Sequence, residues 1–432
     1  MQVQRRPHLH RDWIDPDALE IVERLQRKGF TTYLVGGCVR DLLAGIHPKD
    51  TDIVTSALPE DVRAIVPRSF IIGKRFRLVL VRRGERQYEV ATFRREAKPE
   101  EIPEEFTSND NVFGTPEQDA TRRDFTFNGL FYDPVKDELI DYCGGLPDVE
   151  NGVVRMIGNP DTRLREDPIR IMRALRLAHK LGFSIDSDLR RAMQEAAPDL
   201  PKSVLPRRRE EILKILKLQD PLAALYEAHD LGILAHVSPT LNRVFEDRER
   251  SEIFETYMHR FHNVISNPDS PVELFGGMIL SYFRAVISPD PHDPLFNREL
   301  LNEPENKTFF RDELGMSNFE QMMVSKAFQF QSILKSVDKI KKRGERRRAA
   351  IVGHEAFSLA LLFARFDHGL TPQEMEYWQS AFETHTPVPR EDGRGPGGSR
   401  SGGRGRRGGR GRRGRRPRRP GGDSKTPDTG NH

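Results

Sequence analysis

Two aspartates one residue apart, Asp50 and Asp52, stand at the entrance to an apolar run in Lys49-Asp50-Thr51-Asp52-Ile53-Val54. On a strand, residues two apart project to the same face, so the two carboxylates are expected to project together. Side by side they repel each other unless a cation sits between them. Their hard oxygens suit Mg²⁺, which takes one or two carboxylates together with substrate phosphates and water. Two further clusters carry chemistry. Arg122-Arg123-Asp124-Phe125-Thr126-Phe127-Asn128 offers two guanidinium forks for phosphate or ribose oxygens. Asp124 can hold an arginine or contact the ribose and metal region, and Asn128 offers both a donor and an acceptor. Glu166-Asp167-Pro168-Ile169-Arg170 opens a helical pattern. There Asp167 and Arg170 share a face and present an acceptor and donors to one base edge.

The elements around these residues read as follows. Tyr33 to Val35 is a short apolar strand. Gly36-Gly37 lets the backbone turn tightly and approach a ligand without a Cβ. Cys38 to Ala44 has helical spacing, with Gly45 placed to end it. Such a turn feeding a helix start presents free backbone N–H groups that suit a phosphate. A bare D-x-D also reads as a solvated acidic turn, but the Gly-Gly turn and helix ahead of it favour metal-assisted nucleotidyl transfer. Asp15 with Pro16 marks the start of an earlier helix, with Ala18, Ile21, Val22 and Leu25 as its buried stripe. Pro59 to Val66 suggests another. Alternating apolar residues predict a strand over Ile71 to Leu80, a hairpin at Gly84, and a return strand from Gln87 to Phe93. Glu89 lies on that return strand and needs a partner, either the metal site or a salt bridge. Arg94 to Asp119, polar and rich in proline, reads as a loop. Asp167 is expected to cap, and Pro168 to open, a helix whose apolar face is Ile171, Ala174, Leu175, Ala178 and Leu181. Arg170, Arg173 and Arg176 run along another side. Arg207 and Glu211, four apart on a later helix, either brace that helix or pair on the surface. From Pro221 onward the segments Leu222 to Asp230, Val272 to Ala285, Phe319 to Leu334 and Ala356 to Ala364 read as helical, with no catalytic constellation.

The pattern L-V-G-G-x-V-R-D-x-L-x(4)-P-K-D-x-D resembles the head domain of the class II polynucleotide nucleotidyltransferases, the bacterial poly(A) polymerases and bacterial-type CCA-adding enzymes. The resemblance is specific over residues 30–216. Thr51 stands where the family usually has Phe, and Gly129 where it has Ala or another small residue. The resemblance implies two Mg²⁺ ions on Asp50, Asp52 and Glu89, with Asp124 counted among the catalytic acids alongside Asp50 and Asp52. It implies a nucleotide pocket lined by Gly36, Gly37, Arg40, Arg122, Arg123 and Asn128, with Arg173 and Arg176 alongside. It also implies that Asp167 and Arg170 select adenine by mimicking base pairing. Ile71-Ile72-Gly73-Lys74-Arg75-Phe76-Arg77-Leu78 resembles the pattern of the poly(A) branch. The stretch Asp110 to Thr115 resembles a mobile element beside the family's active site.

The chain has 432 residues, enough for two or three domains. It has no run of about 18 apolar residues, so no integral membrane contact is expected. Its N-terminus lacks the apolar core of a signal peptide. Cys38 and Cys143 are the only cysteines, too few for a disulfide framework or a zinc site, which fits a reducing cytoplasm. The net charge of +4 is uneven, because Arg390 to His432 holds 14 Lys/Arg against 4 Asp/Glu. This Gly-Arg tail has too little apolar surface to fold and is expected to be disordered. Arg404, Arg406, Arg407, Arg412 and Arg413 would meet RNA phosphates without reading sequence. A solubilising or membrane-surface tail is the alternative.

The expected architecture is α+β: a nucleotidyltransferase-type sheet-and-helix head (1–147), an all-α neck for base selection (148–216), an all-α RNA-binding body (217–388) and a disordered basic tail (389–432). The expected activity is untemplated addition of AMP from ATP to RNA 3′ ends (mRNA, decay fragments or small RNA), with RNA-decay proteins as candidate partners. A CCA-adding enzyme acting on tRNA is the nearer alternative. A non-catalytic RNA-binding protein with an inactive head is the other.

Overall fold

The computed structural model describes residues 1–5, 7–73, 77–98, 100, 112–293, 295 and 303–385. The arginines of the Gly-Arg tail, the Lys74-Arg75-Phe76 part of the branch-specific pattern, and Asp110-Asn111 lie outside the described residues.

The chain opens with β1 (Gln2–Arg5), α1 (Pro16–Arg27), β2 (Thr32–Val35), α2 (Gly37–Leu43), β3 (Asp52–Thr55) and α3 (Pro59–Ile65). It continues with β4 (Ser69–Ile72), β5 (Leu78–Arg83), β6 (Arg86–Thr92), α4 (Pro116–Thr121), β7 (Leu130–Asp133) and β8 (Glu138–Asp141). These strands form one eight-stranded sheet in the order β1-β8-β7-β2-β3-β6-β5-β4. Only β3 and β6 pair in parallel; every other neighbour is antiparallel. The pleat sends alternate side chains to opposite faces. Leu34, Ile53 and Val90 thus join the main core with α1, while Val35, Val54, Phe131 and Ile140 form a smaller core with Phe93. Asp15 caps α1 as expected, accepting from the Asp17 amide at 2.9 Å, and Ala18, Ile21, Val22 and Leu25 are buried.

Two local expectations change, and one strand is added. The single strand over Ile71 to Leu80 is a hairpin, β4 against β5, with Ile72 opposite Leu78. Gly73 sits at φ +81° between them, a left-handed position that breaks the extended run. The stretch expected as loop to Asp119 closes with helix α4, which Thr115 and Gln118 cap reciprocally. The N-terminal Gln-Val-Gln-Arg pairs as an edge strand on β8.

After the sheet come α5 (Gly145–Glu150), β9 (Val153–Val154), α6 (Pro160–Glu166), α7 (Ile169–Leu181), β10 (Ser184–Ile185), α8 (Ser187–Ala196) and α9 (Leu205–Leu216). The neck is therefore helical apart from the two-residue parallel pair β9–β10. Ile171, Ala174, Leu175 and Ala178 of α7 are buried, and Gly182 ends the helix at φ +68°. The remainder is helical, from α10 (Pro221–Asp230) through α11 (Ile233–Val237), α12 (Pro239–Phe245), α13 (Arg248–Val264), α14 (Pro271–Val286), α15 (Pro304–Thr308), α16 (Asn318–Leu334), α17 (Val337–Lys342), α18 (Glu345–Val352) and α19 (Phe357–Asp367) to α20 (Pro372–Glu383). Helix α14 packs so closely on α13 that a Cβ on Gly277 would stand 2.4 Å from the Phe261 ring. Among the described residues no single helix is long and apolar enough to cross a membrane. Helices α18 and α19 reach that length and composition only together, across an 86° bend.

Candidate active site

A cavity of about 430 Å³ opens where α2, the Arg123–Asn128 segment and α7 meet. Gly36 and Gly37 lie on its floor, with Arg40, Asp52, Arg123, Asp124 and Asn128 around them. Asp167, Arg170, Arg173 and Arg176 form the facing wall. Most of the residues singled out from the sequence thus converge from segments up to 140 positions apart.

Each arginine is aimed by a specific partner. Gly36 has φ +73°, and a Cβ there would stand 3.1 Å from Arg123 Nη1. Arg123 is held from behind by the buried Asp119, whose Oδ2 accepts from Nη2 at 2.8 Å and Nε at 3.2 Å. Burial alone would raise the Asp119 carboxyl, and the Arg123 and Arg122 guanidiniums more than offset it, leaving it below the usual carboxylate range. Arg40 is 5% exposed. It donates to Asp41 and, at 2.7 Å, to Asn128 Oδ1. Asn128 Nδ2 in turn donates to Asp124 Oδ1 at 2.9 Å. The other Asp124 oxygen accepts from Arg173 Nε at 2.8 Å and Nη2 at 2.6 Å. Against its burial, Arg173, Asn128 and the Phe125 amide hold the Asp124 carboxyl below its ordinary value.

Helix α7 is braced from its other side. Glu211 of α9 is buried and accepts from Arg176 Nε at 2.6 Å, with Arg173 Nη1 at 3.8 Å. Arg207 donates to both oxygens of Asp167, at 2.9 and 2.8 Å. Arg207 and Glu211 thus pair with Asp167, just ahead of α7, and with Arg176 on it, and not with each other. Asp167 was expected to cap α7, but its carboxylate is committed to Arg207. The capping position falls to Pro168, with no side-chain cap. Arg170 donates to the Arg163 carbonyl at 2.6 Å and to Glu166 at 3.3 Å.

The acids are distributed as follows. Strand β3 begins at Asp52, so Asp50 lies in the segment just before it. Asp52 and Glu89 are register partners on β3 and β6. Both side chains are exposed. The Asp52 carboxyl is pushed above its ordinary value by loss of hydration among the surrounding protein atoms, then by Glu89 and more weakly by Asp50, with Arg123 opposing. Like charges opposite one another on a sheet destabilise it. This electrostatically strained set of hard oxygens fits a hard divalent cation. Among the described residues, however, no three His, Cys, Asp or Glu side chains converge closely enough to form a ready-made metal cage. Asp50 and Glu89 do not line the nucleotide-sized cavity. Arg122 does not either; it donates to Asp119 at 3.0 Å and lines a separate cavity with Arg163 and Glu166.

Sequence reasoning missed Asp119, the aiming carboxylate. It lies three and four residues before Arg122 and Arg123 at helical spacing, so the signal was present. It also missed Lys180, which donates from α7 to Asp41 Oδ2 at 2.9 Å. That partner is 139 residues away, and no local pattern marks it.

Residues 32–155 match the poly A polymerase head domain, and residues 182–245 match a domain described as a probable RNA and SrmB-binding site of polymerase A. Poly(A) polymerase I of Haemophilus influenzae is 40% identical over 244 residues, which is 54% of this chain and 54% of that protein. The CCA-adding enzyme of Geobacillus thermodenitrificans is 40% identical over 220 residues, covering 50% of this chain and 52% of that one. The chain thus spans about half the length of these curated relatives. The structure of the Thermotoga maritima CCA-adding enzyme complexed with tRNA shares the fold at a TM-score of 0.59 and 20% identity, covering 89% of this chain and 86% of that one. The α+β head followed by helices is therefore a fold shared with that enzyme.

Proposed function

We propose that the chain adds AMP from ATP to RNA 3′ ends without a nucleic-acid template. The RNA 3′ oxygen attacks the α-phosphorus of ATP, the new phosphodiester forms, and the bond to the departing pyrophosphate breaks. The observation that carries this reading is the single cavity joining Gly36, Gly37, Arg123 and Asp52 of the head to Asp167 and Arg170 of the neck. The poly(A) and CCA-adding relatives, both nucleotidyltransferases, support it.

In this reading the bare Gly36–Gly37 floor and Arg123 receive the triphosphate. Arg40 fixes Asn128 for the ribose. Asp124 works through Arg173 and Asn128, since its oxygens are already occupied by them and by the Phe125 amide. Asp167 and Arg170 read the adenine edge, with Arg207 setting the Asp167 carboxylate. Asp50, Asp52 and Glu89 would hold Mg²⁺, two ions in this proposal, whose chemistry is to acidify the attacking hydroxyl and neutralise the triphosphate. The head, neck, body and tail boundaries drawn from the sequence are retained as a proposal, as is RNA contact by the Gly-Arg tail.

The 40% identity to a CCA-adding enzyme supports a second reading, addition of C, C and A to tRNA in the same cavity. Incorporation assays with ATP or CTP and Mg²⁺ separate the two, using an unstructured RNA and a tRNA lacking its CCA end. Long adenylate tails on the unstructured RNA are expected. Addition confined to C, C and A on tRNA would transfer the assignment. Failure on both RNAs would refute nucleotidyl transfer and leave an RNA-binding protein.

A further inference from the structure

One buried carboxylate joins two cavities through two arginines. Arg123 lines the nucleotide cavity, whereas Arg122 lines a separate basin of about 810 Å³. Asp119 holds both, accepting from Arg123 Nη2 at 2.8 Å and from Arg122 Nε at 3.0 Å. None of the residues assigned above to the transfer step lines the basin.

The basin is cationic. Arg95, Lys98, Arg122 and Arg163 line it against two carboxylates, Glu96 and Glu166. Both carboxylates are engaged, because Arg163 Nη1 donates to Glu96 at 2.8 Å and to Glu166 at 3.1 Å. Arg163 Nη2 donates to the carbonyls of Arg122 and Arg123, at 2.8 and 3.0 Å. Arg163 is 9% exposed, and its buried Nε has no hydrogen-bond partner. Arg122 commits only Nε, to Asp119. Its two terminal nitrogens have no partner among the described residues, and its side chain is 31% exposed. Guanidinium forks with unmatched donors suit phosphate oxygens. Among the described residues no aromatic side chain lines the basin, so nothing there stacks a base. The ligand chemistry it favours is phosphate alone.

Transfer breaks the bond between the α- and β-phosphates of ATP and leaves pyrophosphate on the glycine floor beside Arg123. The next ATP needs that floor. A cationic basin next to it attracts the departing anion. We propose that the basin is a second anion site, which takes inorganic pyrophosphate released from the nucleotide cavity, with Arg122 as its principal donor. This rests on the nucleotidyl-transfer reading and names a station for that reaction's leaving group.

Equilibrium dialysis of the full chain with radiolabelled pyrophosphate and Mg²⁺, without RNA, counts the sites. Two pyrophosphates per chain are expected, and one when α,β-methylene-ATP saturates the nucleotide cavity. Thr121 is exposed and lines the basin, so Thr121→Glu sets a carboxylate in its wall and leaves both arginines in place. It should weaken the second pyrophosphate about tenfold or more, the scale of one charge-assisted contact, and leave KM for ATP within about twofold. Arg122→Gln should weaken it as much. If that variant misfolds because Asp119 loses a partner, Thr121→Glu still decides. Displacement of all bound pyrophosphate by the ATP analogue would overturn the proposal. So would unchanged second-site binding in Thr121→Glu, or equal competition at that site by inorganic phosphate or a short oligoadenylate. Incorporation assays test the transfer reading separately. A chain that adds no nucleotide yet binds pyrophosphate twice loses that reading and keeps the second anion site.

Discussion

Replacing Asp119 with asparagine keeps the side chain's shape and removes the charge that two arginines share. Asp119 is 1% exposed. Its Oδ1 accepts from Arg122 Nε at 3.0 Å and the Arg94 amide at 3.2 Å, and its Oδ2 from Arg123 at 2.8 and 3.2 Å. In Asp119→Asn the amide oxygen can still serve the first pair. The amide nitrogen then faces the Arg123 guanidinium, donor against donor. A hydrogen bond to a charged group contributes about 1.5–3 kcal/mol. Arg122 and Arg123 keep 31% and 22% side-chain exposure, so water recovers part of the loss. The expected destabilisation is therefore about 2–3 kcal/mol, below the 3–5 kcal/mol typical of breaking a fully buried pair. The functional effect follows from the same geometry. Asp119 holds Arg123 toward the Gly36 floor, together with the Asn128 carbonyl at 3.4 Å and the Phe131 ring. Loss of one charge-assisted contact to the triphosphate, about 1.5 kcal/mol, raises KM for ATP roughly tenfold. Urea unfolding followed by circular dichroism measures the first effect, and initial rates against ATP measure the second. A loss below about 0.5 kcal/mol together with an unchanged KM for ATP would refute the argument that this carboxylate positions Arg123.

Three further outcomes are expected. Gly36→Ala forces a Cβ onto a residue at φ +73° and within 3.1 Å of Arg123 Nη1. It should cost about 1–3 kcal/mol in unfolding experiments and raise KM for ATP, because the strain falls on the cavity floor. Gly277→Ala places a Cβ 2.4–2.5 Å from the Phe261 ring on a distant helix pair. It should destabilise by about 1–3 kcal/mol in urea and leave KM for ATP unchanged, which separates general loss of stability from damage to the site. Asp119 and Asp124 are both held below their ordinary values. A depressed carboxyl contributes stability that is fully present above its unfolded pKa, about 4, and is lost as pH falls through the folded value. The urea midpoint should therefore fall with acid below about pH 4, and fall less steeply in Asp119→Asn. Asp52, pushed up, works in the opposite sense and binds its proton more tightly in the native state.

The parts of this site that were legible in the sequence are those whose logic is local. A Gly-Gly turn before a helix, two arginines before an aspartate, and an aspartate three residues before an arginine each state their chemistry within a few positions. The corrections share one cause. Asp167 looks like a helix cap at short range, but its carboxylate is claimed by Arg207, 40 residues on. Asp124 is open, in sequence, to holding an arginine or to contacting the ribose and metal region; the fold brings Arg173, 49 residues on, to engage it through two nitrogens. Sequence pattern identifies a charge without identifying which opposite charge the fold will bring to it. The split of the expected strand at Gly73 is different, because a glycine inside an alternating run already signals a break.

Those long-range pairs carry a consequence for how the site works. Along α7, Arg173 reaches Asp124 and Lys180 reaches Asp41, both in the sheet-bearing head. Asp41 also holds Arg40, which holds Asn128, which returns to Asp124. The helix beginning just after Asp167 is therefore fastened at two points, two turns apart, to the two ends of one chain of side chains, Asp41–Arg40–Asn128–Asp124. In the proposed reaction, α7 and the triphosphate floor are positioned by one connected set of ion pairs and hydrogen bonds. Lys180→Met removes one fastening without touching the cavity lining. It should raise KM for ATP by a few-fold and relax the preference for ATP over CTP, since a loosened α7 no longer fixes Asp167 and Arg170 against one base edge. Steady-state rates with each nucleotide measure both effects. A variant with unchanged discrimination would show that the Arg173–Asp124 pair alone holds the helix in register.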